Sequence, residues 1–253
     1  DENNQPLGNP GEVMAVRLED GQVLWRYSLP DPESSPTIKG DLVFIGSGQN
    51  GNAVVALRLA PDDELQRQGL ARLAWRTPIG YPMAAGMCLS EDLVITAGGP
   101  GTYDVSGPEP AGVVVALEQA TGKIRWRQDD LGDTVLGTPA LVGDRVYVSS
   151  RTGEVYALRL SDGAILWRCM VRQGQPVLTG ACVTNEQIFV TTQDGYLAIL
   201  TTAGKLVTTM LINAATAPGQ YDMCASTPLI VGGQLFVGTE TAGLRAYGEA
   251  VKP

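Results

Sequence analysis

The chain has 253 residues, with 18 Lys and Arg against 27 Asp and Glu for a net charge of −9, and it contains no histidine. Without histidine there is no Ser-His-Asp or Cys-His nucleophile and no His-ligated zinc or haem from within the chain. Its cations are few and scattered, so a basic surface for nucleic acid is not expected, and no apolar run is long enough to span a membrane.

Read in chain order, the sequence is a series of short strands. Residues 11–30 hold VMAVRL, an EDG turn and QVLWR, which predicts one hairpin. SPTIKGDLVFIG (35–46) then predicts a second kind of hairpin, two β-branched runs around a Gly turn. The two kinds alternate to the end of the chain. The Trp-bearing kind recurs on Ala15, Ala56, Ala116, Ala157, Ala198 and Ala246, and the other kind at 86–97, 138–149, 180–191 and 227–238. Trp stands ten residues after Ala in three copies, at Trp25, Trp126 and Trp167. In the second copy PDDELQRQG (61–69) lengthens the turn before Trp75, and in the fifth Thr208 stands in place of Trp.

One repeat is therefore four strands, A to D. Four-stranded units repeating in this way predict an all-β β-propeller of antiparallel blades, about five in this chain, in a single domain 1–253 with the repeats over about 11–249. Trp25, Trp75, Trp126 and Trp167 are expected to glue blade to blade, each a large apolar plate with one N–H to satisfy. The Arg that follows each Trp points to the other side of strand D and is expected to guard its outer edge. The chain starts at strand C and ends at strand C. That leaves three arrangements open: five blades with a displaced strand, six with gaps, or an arc of a larger propeller, with residues 1–12 favouring truncation or completion from elsewhere.

ALEQATGKIRWR and ALRLSDGAILWR follow the pattern A-L-x-x-x-[TD]-G-x-x-x-W. With TPALVGDRVYVSSRTGEVY they resemble the repeat of the pyrroloquinoline quinone (PQQ)-like β-propeller family over about residues 11–249. That family includes quinoprotein dehydrogenases and cofactor-free scaffolds of the BamB type. The dehydrogenases carry a vicinal Cys-Cys pair and calcium ligands. Here Cys88, Cys169, Cys182 and Cys224 are all separate, and Cys88 and Cys182 share one repeat position in strand A, as small buried residues would. DDLGD (129–133) lacks the ligand alternation of a calcium loop, and the Gly-rich stretch 98–112 lacks the ending of a phosphate loop. No catalytic, metal or cofactor residue is therefore assigned, and PQQ with calcium belongs only to the alternative of a quinone-dependent dehydrogenase or a redox subunit. A carbohydrate-acting propeller finds no carboxylate pair to support it.

The resemblance implies a non-enzymatic scaffold that binds other proteins in the periplasm or cell envelope. The long B–C loop 98–112 and the D–A loop 213–226 emerge on one face, where binding loops on a rigid scaffold belong. Tyr81, Met83, Tyr103, Asp104, Tyr221 and Met223 are the expected protein-binding residues there, or else a plug for the central channel.

Overall fold

The computed structural model describes residues 10–60, 72–212, 224–240 and 243–248. Among them there are strands and turns and no helix. β1 (Pro10–Val16) and β2 (Val23–Pro30) pair as a two-stranded sheet. Four complete sheets follow, each meandering in chain order. The second sheet is β3 (Thr37–Lys39), β4 (Leu42–Ser47), β5 (Ala53–Arg58) and β6 (Leu73–Pro78). The third is β7 (Cys88–Leu89), β8 (Leu93–Gly98), β9 (Val113–Glu118) and β10 (Ile124–Gln128). The fourth is β11 (Ala140–Val142), β12 (Arg145–Ser149), β13 (Glu154–Arg159) and β14 (Ile165–Met170). The fifth is β15 (Cys182–Val183), β16 (Gln187–Thr191), β17 (Tyr196–Thr201) and β18 (Leu206–Leu211). A three-stranded sheet of β19 (Leu229–Val231), β20 (Gln234–Thr239) and β21 (Gly243–Tyr247) ends the series. Among the described residues the first and last sheets are not hydrogen-bonded to each other.

Five apolar cores lie between consecutive sheets, one per interface. Side chains alternate along a strand, so each sheet sends one set of residues backward and the other forward. In β9, Val115 and Leu117 join the core shared with the second sheet, while Val114 and Ala116 join the one shared with the fourth. The short A strands β7, β11 and β15 approach one another, which puts strand A innermost and the Trp-bearing D strand outermost.

The register explains the spacing of the repeat. Ala15, Ala56, Ala116 and Ala157 stand directly opposite Trp25, Trp75, Trp126 and Trp167. A directly opposed pair places its Cβ atoms about 5 Å apart, so a small residue leaves the indole its room. Each indole then reaches the next sheet. Trp75 Nε1 donates to Gln119 O at 2.8 Å and Trp126 Nε1 to Leu160 O at 2.7 Å. Beneath the rings of Trp75, Trp126 and Trp167 lies the glycine of the next C–D turn. A Cβ built on Gly122, Gly163 or Gly204 would stand 2.5 Å from the ring of Trp75, Trp126 or Trp167. These glycines also hold φ of +71°, +72° and +85°, so they serve both the turn and the indole.

The fifth repeat departs from the alignment on alanine. Ile199, not Ala198, points toward the following sheet and pairs with Thr208, while Ala198 points back and pairs with Thr209. The B–C turns match, Ser150 N to Glu154 O and Thr192 N to Tyr196 O, so Ile199 pairs with Phe189 as Ala157 does with Tyr147, and a C–D turn one residue shorter then brings Thr208 to the Trp position. Here Thr201 N bonds Lys205 O, whereas in the fourth sheet Arg159 N bonds Ala164 O. With Thr208 where the indole would be, the larger Ile199 has space.

None of the four cysteines is in a disulfide. Cys88 and Cys182 do share one position, opposite Ile95 and Phe189 on the B strand. Burial pushes the Cys88 thiol up to about 12, so it resists iodoacetamide at pH 8 in the folded protein and reacts after unfolding in urea. Because the folded value lies above the ordinary thiol value of 9.0, its stabilising share is present below pH 9 and is lost as the pH rises toward 12. A thiol-reaction time course with and without urea checks this.

Candidate functional site

The B–C and D–A connections gather on one face. There the long loop 99–112 is held by a single buried cation, Arg151, which sits in the tight turn between β12 and β13. Its Nη1 donates to Thr102 O at 2.6 Å and to Tyr103 O at 3.0 Å, and Nη2 lies 3.5 Å from Asp104 O. Its Nε is 3.8 Å from Asp133 Oδ2, and both side chains are more than nine-tenths buried. Asp133 in turn accepts from Ser106 Oγ at 2.5 Å and from Thr134 N at 2.6 Å. Three connections of the third and fourth sheets thus converge on one ion pair. A guanidinium can do this because its donors fan out in a plane toward several carbonyls at once.

The clamp presents Tyr103 and Asp104 outward, the tyrosine half exposed. Beside Tyr103 opens a cavity of about 310 Å³ whose lining includes Glu33, Gln49, Pro82 and Leu136. Burial, with the Asp31 carboxylate nearby, pushes Glu33 above the ordinary carboxylate value. Asn50 Nδ2 donates to Asp31 at 2.7 Å, so this mouth is acidic and ordered.

Of the residues expected here, Tyr103 and Asp104 lie together. Tyr81 is partly buried, with the Arg127 guanidinium 5.6 Å above its ring. Met83 is a correction. It is fully buried with Trp75, Ile79 and Met87, because the D–A segment 79–87 dips between two sheets, and it has no surface to offer a partner. Tyr221 and Met223 lie outside the described residues. The Arg that follows Trp does more than guard an edge. Arg76 donates to Gly51 O at 2.7 Å and Arg127 to Ile79 O at 2.6 Å, each tying a strand end to this loop face. Of the DDLGD acids, Asp129 pairs with Arg127 at 2.8 Å and Asp133 belongs to the clamp, so they do not converge on one point. Among the described residues no group of three or more His, Cys, Asp or Glu could hold a metal ion.

Sequence reading missed Arg151 and a second buried-acid pair, in which Arg172 Nε meets Asp194 Oδ2 at 2.5 Å while its guanidinium lies 3.6 Å over Tyr196. The only signal was a charged residue within otherwise uniform B–C turns, RTG and QDG.

Solved structures with the same architecture include BamB from Moraxella catarrhalis, with a TM-score of 0.63 at 16% identity over 94% of this chain and 63% of that one. A europium-containing methanol dehydrogenase has a TM-score of 0.67 at 11% identity over 90% of this chain and 58% of that one. At such identities the likeness shows the fold alone. In sequence, the outer membrane protein assembly factor BamB of Bordetella pertussis is 32% identical over 225 residues, 74% of this chain and 57% of the relative. That of Legionella pneumophila is 25% identical over 199 residues, 74% of this chain and 45% of the relative. The chain spans about half the length of these relatives. A family model described as outer membrane protein assembly factor BamB matches residues 2–104 and 72–250, and the chain belongs to that family.

Proposed function

We propose that the chain is a non-enzymatic scaffold of outer membrane protein assembly, working at the cell envelope, and that it receives a partner protein on the loop face around Tyr103. Family membership supports the setting. The observation that carries the choice of face is the Arg151–Asp133 clamp, which fixes the backbone of residues 102–106 and turns an aromatic and an acid outward. Tyrosine is a favoured interface anchor, and a loop ordered in advance binds with less entropic loss. The acidic mouth beside it and the net charge of −9 suit a partner with a basic contact surface.

Co-purification of the assembly machinery from cross-linked envelopes tests this. Tyr103→Ala, at a half-exposed side chain, is expected to leave the melting temperature unchanged. It should weaken retention of the partner by about ten-fold, the scale of a contact worth more than 1 kcal/mol. Unchanged retention in a Tyr103→Ala, Asp104→Arg double variant would move the binding surface to another face.

A further inference from the structure

Four of the five D strands carry an exposed arginine directly after the indole, Arg26 in β2, Arg76 in β6, Arg127 in β10 and Arg168 in β14. In β18 these two positions are Thr208 and Thr209. Ile199 pairs with Thr208 and Ala198 with Thr209, as Ala157 pairs with Trp167 and Tyr156 with Arg168. The whole strand reads LVTTML and has no charge. On it Val207, Met210 and Leu211 are 54%, 40% and 49% exposed. Two residues after the arginine, where β18 has Leu211, the other repeats have Ser28, Pro78, Asp129 and Met170. Only β14 is also apolar there, and Arg168 stands beside it. Among the described residues no strand pairs with the outer edge of β18. Ile212 N bonds Gly195 O, and backbone groups alternate in direction along an antiparallel strand. Thr208 and Met210 therefore turn theirs toward β17, while Thr209 and Leu211 turn theirs outward. An uncharged edge with such outward groups is a template for another strand.

We propose that the outer edge of β18 pairs antiparallel with β18 of a second copy of this chain, about a two-fold axis at Thr209. Directly opposed residues of an antiparallel pair turn their backbone groups the same way, so a symmetric pairing sets one residue opposite itself. That residue must face outward, and Thr209 is the outward one nearest the middle of the strand. Val207 then stands opposite Leu211 of the other copy, and Thr208 opposite its Met210, so exposed apolar side chains meet at both ends. The same operation on the other four D strands would set arginine on arginine, and like charges directly opposite are destabilising. The charge pattern thus selects β18 among the five. It also selects the occupant: a basic or acidic foreign segment finds no counter-charge on this edge, whereas the strand itself is a neutral, apolar-ended match. The net charge of −9 on each copy opposes association, and beyond about 8 Å it is screened at physiological ionic strength.

Sedimentation equilibrium of the chain tests this. A monomer–dimer equilibrium is expected, and it should tighten as added salt screens the two net charges. Thr209→Arg puts back the residue that the other D strands carry. It should weaken the dimer by more than about ten-fold, because like charges then meet on the axis. Should that variant not fold, Leu211→Pro answers the same question. It copies Pro78 of β6, removes an outward N–H and no bond to β17, and should also weaken the dimer. Under mild oxidation Thr209→Cys should cross-link two chains through that position, and Thr208→Cys should not. Tyr103→Ala, on the loop face, should leave the dimer unchanged, so the two surfaces are tested separately. A chain that stays monomeric at every concentration would overturn the proposal, as would a dimer that neither Thr209→Arg nor Leu211→Pro weakens. A monomer whose envelope partner is lost on Thr209→Arg would overturn it too, since the edge would then take a foreign strand.

Discussion

Replacing Trp126 by alanine lowers stability by about 3–5 kcal/mol, the cost of deleting a large buried aromatic ring. The indole is 6% exposed, it fills the core between the third and fourth sheets, and it lies flat over Gly163. Its loss also leaves Leu160 O without its donor. Trp126→Phe keeps most of the plate and loses the N–H, so its cost should be only about 1 kcal/mol more than that of a conservative core change. Trp25→Ala should cost less than Trp126→Ala, because Trp25 is only partly buried, with an Arg72 guanidinium 4.4 Å from its ring. Urea unfolding followed by far-ultraviolet circular dichroism ranks the variants. Equal losses at Trp25 and Trp126 would contradict this difference in burial.

Arg151→Met should be comparably damaging, about 3–5 kcal/mol, because it strips a buried carboxylate of its cation. Asp133 keeps Ser106 and Thr134 N but loses the positive charge beside it. The carbonyls of Thr102 and Tyr103 lose their donor at the same stroke. The distinguishing consequence is local. Hydrogen exchange and proteolysis should both accelerate across residues 101–106 while the strands of the third and fourth sheets stay protected. Adding Asp133→Asn should restore part of the stability and none of the loop protection, since the carbonyls remain uncapped. Loop protection unchanged in Arg151→Met would mean that another contact holds residues 102–104.

These two sites differ in how far the sequence announced them. The indole plates are legible because the same local constraint is repeated: a small residue, a turn with glycine, and a Trp facing the alanine, four times in one chain. The fifth repeat misled because Ala198 has the right letter in the right place. Strand pairing sets Ile199, not Ala198, opposite Phe189, and a register one residue off puts every side chain of the strand on the other face. The clamp was barely legible, its one signal being a charged residue in the RTG turn. Arg151 meets carbonyls 47 to 49 residues earlier, through loops that have no period, so nothing local marks its partners. Asp133 stood out in the sequence as an acid in a polar turn, and its buried partner did not. Met83 shows the same limit in reverse, since whether a loop methionine faces solvent depends on a segment that dips between sheets.

The most direct test of the stacked-sheet account is the exchange of the indole N–H protons, followed by NMR on protein labelled with 15N at tryptophan. Trp75, Trp126 and Trp167 donate to carbonyls of the next sheet, the first two at 2.7–2.8 Å, and should give three slowly exchanging signals. Trp75→Phe and Trp126→Phe would each remove one of them. Four signals that all exchange at the rate of a free indole would mean that no tryptophan bridges two sheets, and the fold would then need another source of cohesion.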